Sequence, residues 1–540
     1  MINQIAKVLS FQEATQRFAL VFLIGLSCFI AFARFHTYDE PLEHDITTAA
    51  VIANEIRAGR SYYSDLWEIK PPGWFAGHVV AQTIFGYGQG SLYALNVGLA
   101  VITLFGVYVA ASSGSGSRIA GLWAAVFWTL ASGDVPLQAN QPNTELFMNP
   151  ALVWALALLL VSRKRPLGSY IPRAILVGCL LVWATFCKPQ SVLYALLLSA
   201  AHVIYPPERT ANGRKRALKE VLMIGAVGVV AWVAFFVYYA KTGRFEIVYT
   251  TMFVYPSYYS GSIVHNLLVS LGSALYPRIL HFTAPLLFLI LAAALVAWLK
   301  RSVGSWPLLV AYALATHLTI GIAGKFYSHY YQLWLPLFAV GAGWAVVSIG
   351  QLFKESYAAW LPHALAVIAL VFMLQAELWV FATDPEVLSV QAYGGLYVPS
   401  RILARELNNV LEPNETLFVL GDEPGFYFIT KRHPAPGVFF LTPLTGGPLA
   451  QELTDRVIND LERKPPDLVI LLQNSMAEKT SGPDIARLGP DHPLRMWVDK
   501  NYCPAKPNLE TFFTLCARPG SALEQRPSYR RLLTQLEGSE

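Results

Sequence analysis

The sequence predicts a polytopic α-helical membrane protein of about eleven spans that ends in a small α/β domain. Three observations carry that prediction. Hydrophobic residues fill 54% of the 540 positions and charged residues only 14%, where a soluble domain carries about 25% charge. The apolar residues gather in runs that approach the ~20 positions needed to cross a bilayer. Beyond residue 382 the chain turns polar and proline-rich, with short β-type runs in place of long apolar ones.

In order, the apolar windows are 17–35, 91–111, 117–132, 147–162, 172–187, 189–204, 220–240, 282–299, 306–323, 331–349 and 360–381. No small-residue cleavage site follows the first, which reads as a retained span. Residues 74–86 are apolar but too short to cross comfortably, and read as an interfacial or re-entrant helix. Cations precede span one (Lys7, Arg17) and lie between spans two and three (Arg118), and four and five (Arg163, Lys164, Arg165, Arg173). Others lie between spans six and seven (Arg209, Arg214, Lys215, Arg216, Lys219), or follow spans eight (Lys300, Arg301) and ten (Lys354). With eleven spans all of them fall on one side, which the positive-inside rule makes cytoplasmic. The expected location is therefore the inner (plasma) membrane, multi-pass. Segments 36–90, 133–146, 241–281, 324–330 and everything after 382 face the other side.

The expected domains are a membrane module, 1–382, whose first outer loop is 36–90, and a soluble extracytoplasmic α/β domain, 383–540. In the latter, 416–420, 467–472 and 511–516 have strand character, and 449–463 reads as a helix. Gly421-Asp422-Glu423-Pro424-Gly425 is a turn signal. Cys28, Cys179 and Cys187 lie in or beside spans. Cys503 and Cys516 would pair if their compartment is oxidising. The net charge of +5, spread over short loop clusters, is no nucleic-acid footprint. The lack of a Walker loop or dinucleotide fingerprint argues against an ATP-driven pump.

Ionisable groups at a membrane boundary are costly, so their clusters point to function. Asp45 opens the amphipathic segment 45–59, at or near its N-cap. It is either a capping aspartate or a general base, since apolar surroundings raise a carboxyl pKa. Lys70 stands before Pro71 and Pro72, which hold it in a stiff loop, and an ammonium there suits a phosphate. Glu68 would pair with Lys70 or bind a cation. In Asn143-Thr144-Glu145 the first two residues offer a helix cap, and Glu145 offers either a dipole partner or a second site acid. Lys188, in Lys188-Pro189-Gln190, is a snorkelling lysine or a phosphate contact. His329 and Tyr330 open a late span, and Arg278 lies near the start of another; all three are candidates for phosphate or sugar. The aromatic-rich loop 241–281, with Tyr249, Phe253, Tyr255, Tyr258 and Tyr259, reads as an interfacial belt or as a wall for an acyl chain or sugar.

Taken as an ordered set, these motifs resemble the GT-C superfamily of membrane glycosyltransferases. The likeness is to the bacterial branch related to protein O-mannosyltransferases and lipid A aminoarabinose transferases. It is carried by Asp45, Ala49-Ala50, Gly59, Tyr63, Asp65 and Lys70-Pro71-Pro72, then Asn143-Thr144-Glu145, Lys188-Pro189-Gln190 and His329-Tyr330-Tyr331. It covers about residues 17–381. Ile46 departs from it, standing where many relatives carry a second acid. Asp39-Glu40 is a rival acidic pair, but the distance from Asp45 to Gly59 matches the family. A divalent cation is the one cofactor the resemblance raises, and Ile46 weakens the carry-over.

The resemblance implies a GT-C-like fold and inverting transfer of a sugar from a polyprenyl-monophosphate donor at the outer face. The acceptor would be a lipid, glycan or protein, with membrane lipids as further partners. Asp45 would deprotonate the acceptor. Lys70 would hold the phosphate, with Lys188 and His329 as lesser candidates, and Glu145 would orient acceptor or sugar. Two rival functions use similar lipid-linked substrates. A transporter or flippase normally shows repeats and mid-membrane charges. An O-antigen ligase or polymerase would carry more arginines than Arg244 and Arg278 in loop 241–281.

Overall fold

The apolar runs fold into helices because a backbone in lipid must satisfy its own hydrogen bonds. The computed structural model describes residues 2–162, 170–270, 275–300, 304–353, 358–472, 488–503 and 512–538. The side chains of 2–16, 275–278, 537 and 538 lie outside that description. Arg278 therefore falls outside it, as do Lys7, Arg163, Lys164, Arg165, Arg301 and Lys354. Eight helices among the described residues are long and apolar enough to cross a membrane. Three shorter apolar helices, Arg118–Ala131, Ile171–Cys187 and Pro189–Ile204, occupy the other three windows. The chain is thus a multi-pass membrane protein. It divides into two compact units, Met1–Tyr38 with Tyr93–Val237 and Ser260–Ala382, and Asp39–Leu92 with Tyr238–Tyr259 and Thr383–Glu540.

The first unit contains the long helices. At one close crossing, between Arg118–Ala131 and Leu335–Gly350, a Cβ on Gly343 would lie 2.4 Å from the Ala120 carbonyl oxygen. Small residues at such a crossing let backbones approach, the usual packing device in lipid. Polar residues tie the helix ends. At one set, Arg34 Nε donates to Asn96 Oδ1 (2.6 Å), and His281 Nε2 lies 2.5 Å from Asp134 Oδ2. At another, Glu220 meets Arg173 (3.0 Å), His202 (2.9 Å) and Arg216 (3.2 Å). The first set joins the C-terminal end of span one to span two, and that of span three to the N-terminal end of span eight. The second joins the N-terminal ends of spans five and seven to the C-terminal end of span six.

The second unit contains the polar loops and the tail. A three-stranded sheet runs in the order β1 (Leu417–Leu420), β2 (Leu468–Leu472), β3 (Phe513–Ala517). β1 and β2 are parallel, with Leu417 opposite Leu468, and β3 is antiparallel, with Cys516 opposite Val469. Every residue of β1 and β2 is buried, which is why each reads as an unbroken apolar run. Helix Ala450–Arg463 lies within the crossover between them, where 449–463 is expected. Cys503 and Cys516 form a disulfide that ties the segment after helix Pro493–Asn501 to β3. Past the end of β1, helix Gly425–Thr430 packs on helix His44–Arg57 from the first loop.

Candidate active site

The site in the second unit is assembled by two short helices. His44–Arg57 buries Ile46, Ala49, Ala50, Val51, Ile52 and Ala53, so its first turn is held firmly. The cap of this helix is Glu43, not Asp45: Glu43 Oε2 accepts from the Asp45 amide at 2.9 Å. That corrects the capping reading and leaves the Asp45 carboxylate to make other contacts. The helix ends at Arg57, and Gly59 (φ +96°) turns the chain in a conformation side chains resist. Two tyrosines then shape the return. Tyr63 sits at φ +69°, and the Tyr62 hydroxyl donates to the carbonyls of Glu68 (2.9 Å) and Lys70 (2.6 Å). Trp67 Nε1 donates to Thr251 Oγ1 (2.9 Å), and its ring packs edge-on against Tyr255 at 5.7 Å. Buried Tyr255 thus serves as packing, whereas Tyr249, Phe253 and Tyr258 of the same loop are exposed.

Pro72 occupies the first helical position of Pro72–Phe85, where a missing amide hydrogen costs nothing. Pro71, the N-cap residue, makes no side-chain cap, so Lys70 stands at a helix N-terminus whose first amides have no side-chain cap. Lys70 Nζ lies 2.7 Å from Asp45 Oδ2 and 4.3 Å from the centre of the Trp74 ring. Glu68 Oε2 accepts from the Lys70 amide at 2.7 Å. Asp45, Glu68 and Lys70 are therefore brought together, with Asp45 on the Lys70 ammonium and Glu68 on its amide.

His44 completes this cluster. Its Nδ1 is 2.6 Å from Glu43 Oε1 and its Nε2 3.4 Å from Asp45 Oδ1. Burial opposes its charge, but Glu43 and Asp45 outweigh that and hold it at about 10. Lys70 follows the same logic: burial pulls it down, and Asp45 and Glu68 raise it above its ordinary value. Burial pushes Glu68 up to about 7 against the pull of Lys70. Burial also pushes Glu423 up to about 8, against His44. Glu43, His44 and Asp45 place three ligand atoms within 4.8 Å. A divalent cation there would have to displace Lys70 from Asp45. The rival acids Asp39 and Glu40 line an adjoining cavity of about 140 Å³ with Arg401 and Arg405, which shares Glu423 and Tyr397 with the His44 cluster.

A second cluster lies in the first unit. Glu145, in the first turn of helix Thr144–Val161, is fully buried, and its Oε1 is 2.7 Å from Lys188 Nζ. That ammonium stands 3.4 Å from the centre of the Tyr330 ring. His329 Nδ1 lies 2.9 Å from Gln138 Oε1, and its ring meets Tyr330 edge-on at 4.9 Å. Asn143 occupies the N-cap position without capping through its side chain, donating instead to the Gln138 carbonyl (3.2 Å). Glu145, Lys188, His329 and Tyr330 are thus brought together. Glu43 and His44 were adjacent to Asp45 and visible in the run. Glu423 and Tyr397, whose hydroxyl is 3.4 Å from His44 Nδ1, come from the distant tail, where the legible strands, helix and turn point to neither as a site residue.

No family model matches the chain, and neither does any curated protein. Solved structures do. ArnT from Cupriavidus metallidurans, bound to undecaprenyl phosphate, superposes with a TM-score of 0.56 at 15% identity, over 84% of this chain and 93% of that one. The oligosaccharyltransferase AglB from Archaeoglobus fulgidus, in complex with an inhibitory peptide and a dolichol-phosphate, gives 0.51 at 13% identity, over 86% and 70%. The chain has a GT-C fold. At these identities the likeness concerns architecture, and it agrees with the fold expected from the ordered motifs.

Proposed function

We propose that the protein is a glycosyltransferase that moves a sugar from a polyprenyl-monophosphate donor to a lipid, glycan or protein acceptor, with inversion, at the extracytoplasmic face of the inner membrane. The observation that carries this reading is the Asp45–Lys70 pair, 2.7 Å apart beside an uncapped helix N-terminus. A phosphate suits that place, because the helix amides and the ammonium both favour an anion. It would take Lys70 from Asp45 and leave the carboxylate to accept a proton.

The acceptor's hydroxyl or amine proton then moves to Asp45. The nucleophile bonds to the anomeric carbon from the side opposite the leaving oxygen. The carbon–oxygen bond to phosphate breaks, and its electron pair departs with the polyprenyl phosphate. Lys70 neutralises the charge that develops there, the kind of stabilisation that lowers such barriers most. His44, held as imidazolium against Asp45 and Glu43, fixes the carboxylate's other oxygen. Glu68 holds the Lys70 amide and so orients the loop. The solved AglB and ArnT complexes with lipid phosphates support this class of donor.

The test is transfer by the purified protein in lipid nanodiscs, using radiolabelled polyprenyl-monophosphate sugars and extracted envelope acceptors, with Asp45→Asn alongside. The variant should bind donor and lose transfer by about 10²–10⁴-fold, the range for a general base. Near-full transfer by Asp45→Asn would remove the assignment of the base. Transfer only from diphosphate-linked donors would move the protein to the ligase class.

A further inference from the structure

Outside that site, one cluster in the first unit joins a histidine and two buried carboxyls. Asp134, in the turn after helix Arg118–Ala131, has no exposed surface. Glu377, near the end of helix Leu361–Ala382, is 7% exposed. His281, on helix Leu275–Leu299, is partly open, with a side-chain exposure of 27%. One ligand atom from each lies within 4.8 Å of the others. We propose that Asp134, His281 and Glu377 form a binding site for a divalent transition metal of the zinc class.

The geometry supports an ion there. Two carboxyls this close cannot both ionise in a buried place without a counter-charge. Arg34 is near both, but its guanidinium donates to Asn96 Oδ1 and to the Ser132 carbonyl. Asp134 and Glu377 hydrogen-bond each other and so share one proton, whose place a divalent ion would take. Glu377 Oε1 is buried and makes no hydrogen bond, so one oxygen of the cluster awaits a partner. Asp134 is already pre-oriented, since its Oδ1 accepts from the Leu137 amide at 2.6 Å. An imidazole with two carboxylates suits zinc better than magnesium, which prefers oxygen ligands alone. Tetrahedral zinc with bonds of about 2.0–2.1 Å sets its ligands ~3.3 Å apart. The 2.5 Å between Asp134 Oδ2 and His281 Nε2 would open by less than an ångström to admit it.

The ion would staple three elements that are distant in sequence: the turn after Arg118–Ala131, helix Leu275–Leu299 and helix Leu361–Ala382. The open side of His281 gives it an entry. The site is independent of Asp45 and Lys70, so the proposal survives if the proposed reaction is wrong.

The test adds Zn²⁺ alone to chelator-stripped protein in detergent, reading stoichiometry by elemental mass spectrometry and affinity by competition with a chromophoric chelator. The wild type should take one tight equivalent, untouched by millimolar Mg²⁺. Glu377→Gln and His281→Asn should each lose it, with affinity falling at least about tenfold, and His281→Cys, another zinc ligand, should restore it. If these variants do not fold, thermal unfolding of the wild type with Zn²⁺ and with chelator decides. A rise of the midpoint with the ion supports the site, and unchanged midpoints overturn it. The proposal also falls if no zinc binds, if Glu377→Gln and His281→Asn keep the full equivalent, or if Asp45→Asn removes it.

Discussion

The two units each contain a lysine paired with a carboxylate at 2.7 Å and seated against an aromatic ring, yet the pairs differ in what surrounds them. Asp45 and Lys70 each keep 23% of their side-chain surface open, and His44 stands on the second oxygen of Asp45. Glu145 has none of its surface open, and its Oε2 has no hydrogen-bond partner. An ion pair with solvent access can exchange partners at little cost, whereas a sealed one is held by what its rupture would expose. The first arrangement fits a group that must release its partner during a reaction. The second fits a clamp between helix Thr144–Val161 and the turn at Lys188.

The largest expected effect separates the pairs. Asp45→Asn should remove transfer and destabilise less than loss of the sealed pair does, since solvent reaches the Asp45–Lys70 pair. Glu145→Gln should do the reverse and destabilise by ~3–5 kcal/mol, the usual cost of leaving a buried charge unpaired. Pairing it with Lys188→Met should recover most of that loss. Chemical or thermal unfolding of the four proteins reads both halves. A stable Glu145→Gln protein that lacks transfer would make Glu145 a second reaction acid and dissolve the contrast.

Much of this was legible in the sequence, for definable reasons. The spans follow from apolar runs, and the helix at Pro72 follows from proline at a first helical position. Asp45 and Lys70 lie in one loop, so their meeting needs no distant contact. Other features left no local trace. Asp134, His281 and Glu377 are single polar residues at the ends of three separate apolar runs, each of which reads as an ordinary helix end. Glu423 sits in a turn signal that says nothing of His44, nearly four hundred residues earlier. The cap was misplaced because aspartate is the commoner capping residue, while here the longer Glu43 side chain reaches the Asp45 amide.

A smaller effect concerns Lys70 itself. If it holds the donor phosphate, Lys70→Ala should raise the donor KM by about 10- to 150-fold, matching the ~1.5–3 kcal/mol of a hydrogen bond to a charged group. Lys70→Arg should recover part of this. A change confined to kcat, with donor KM unmoved, would place Lys70 beside the base and away from the phosphate. The corresponding Lys188→Met protein should show its defect in stability first, because that ammonium is committed to Glu145 and Tyr330.

The smallest effect is on the pH dependence of folding in the second unit. His44 binds its proton more tightly in the folded chain, up to about 10, than the ordinary value near 6.5. Its contribution to stability is therefore fully present below about 6.5 and fades as pH rises through about 10. Glu68 acts earlier. The folded chain holds its proton up to about 7 and the unfolded chain only to about 4.5, so stability falls with rising pH between those values and no further. Above neutrality the decline that remains in this cluster should come from Glu423 up to about 8 and from His44 beyond it. Unfolding midpoints taken from pH 7 to 10 should fall less steeply in His44→Gln than in the wild type. Parallel curves would mean that Glu43 and Asp45 do not hold the imidazolium, and Asp45 would then face Lys70 as its one cationic partner.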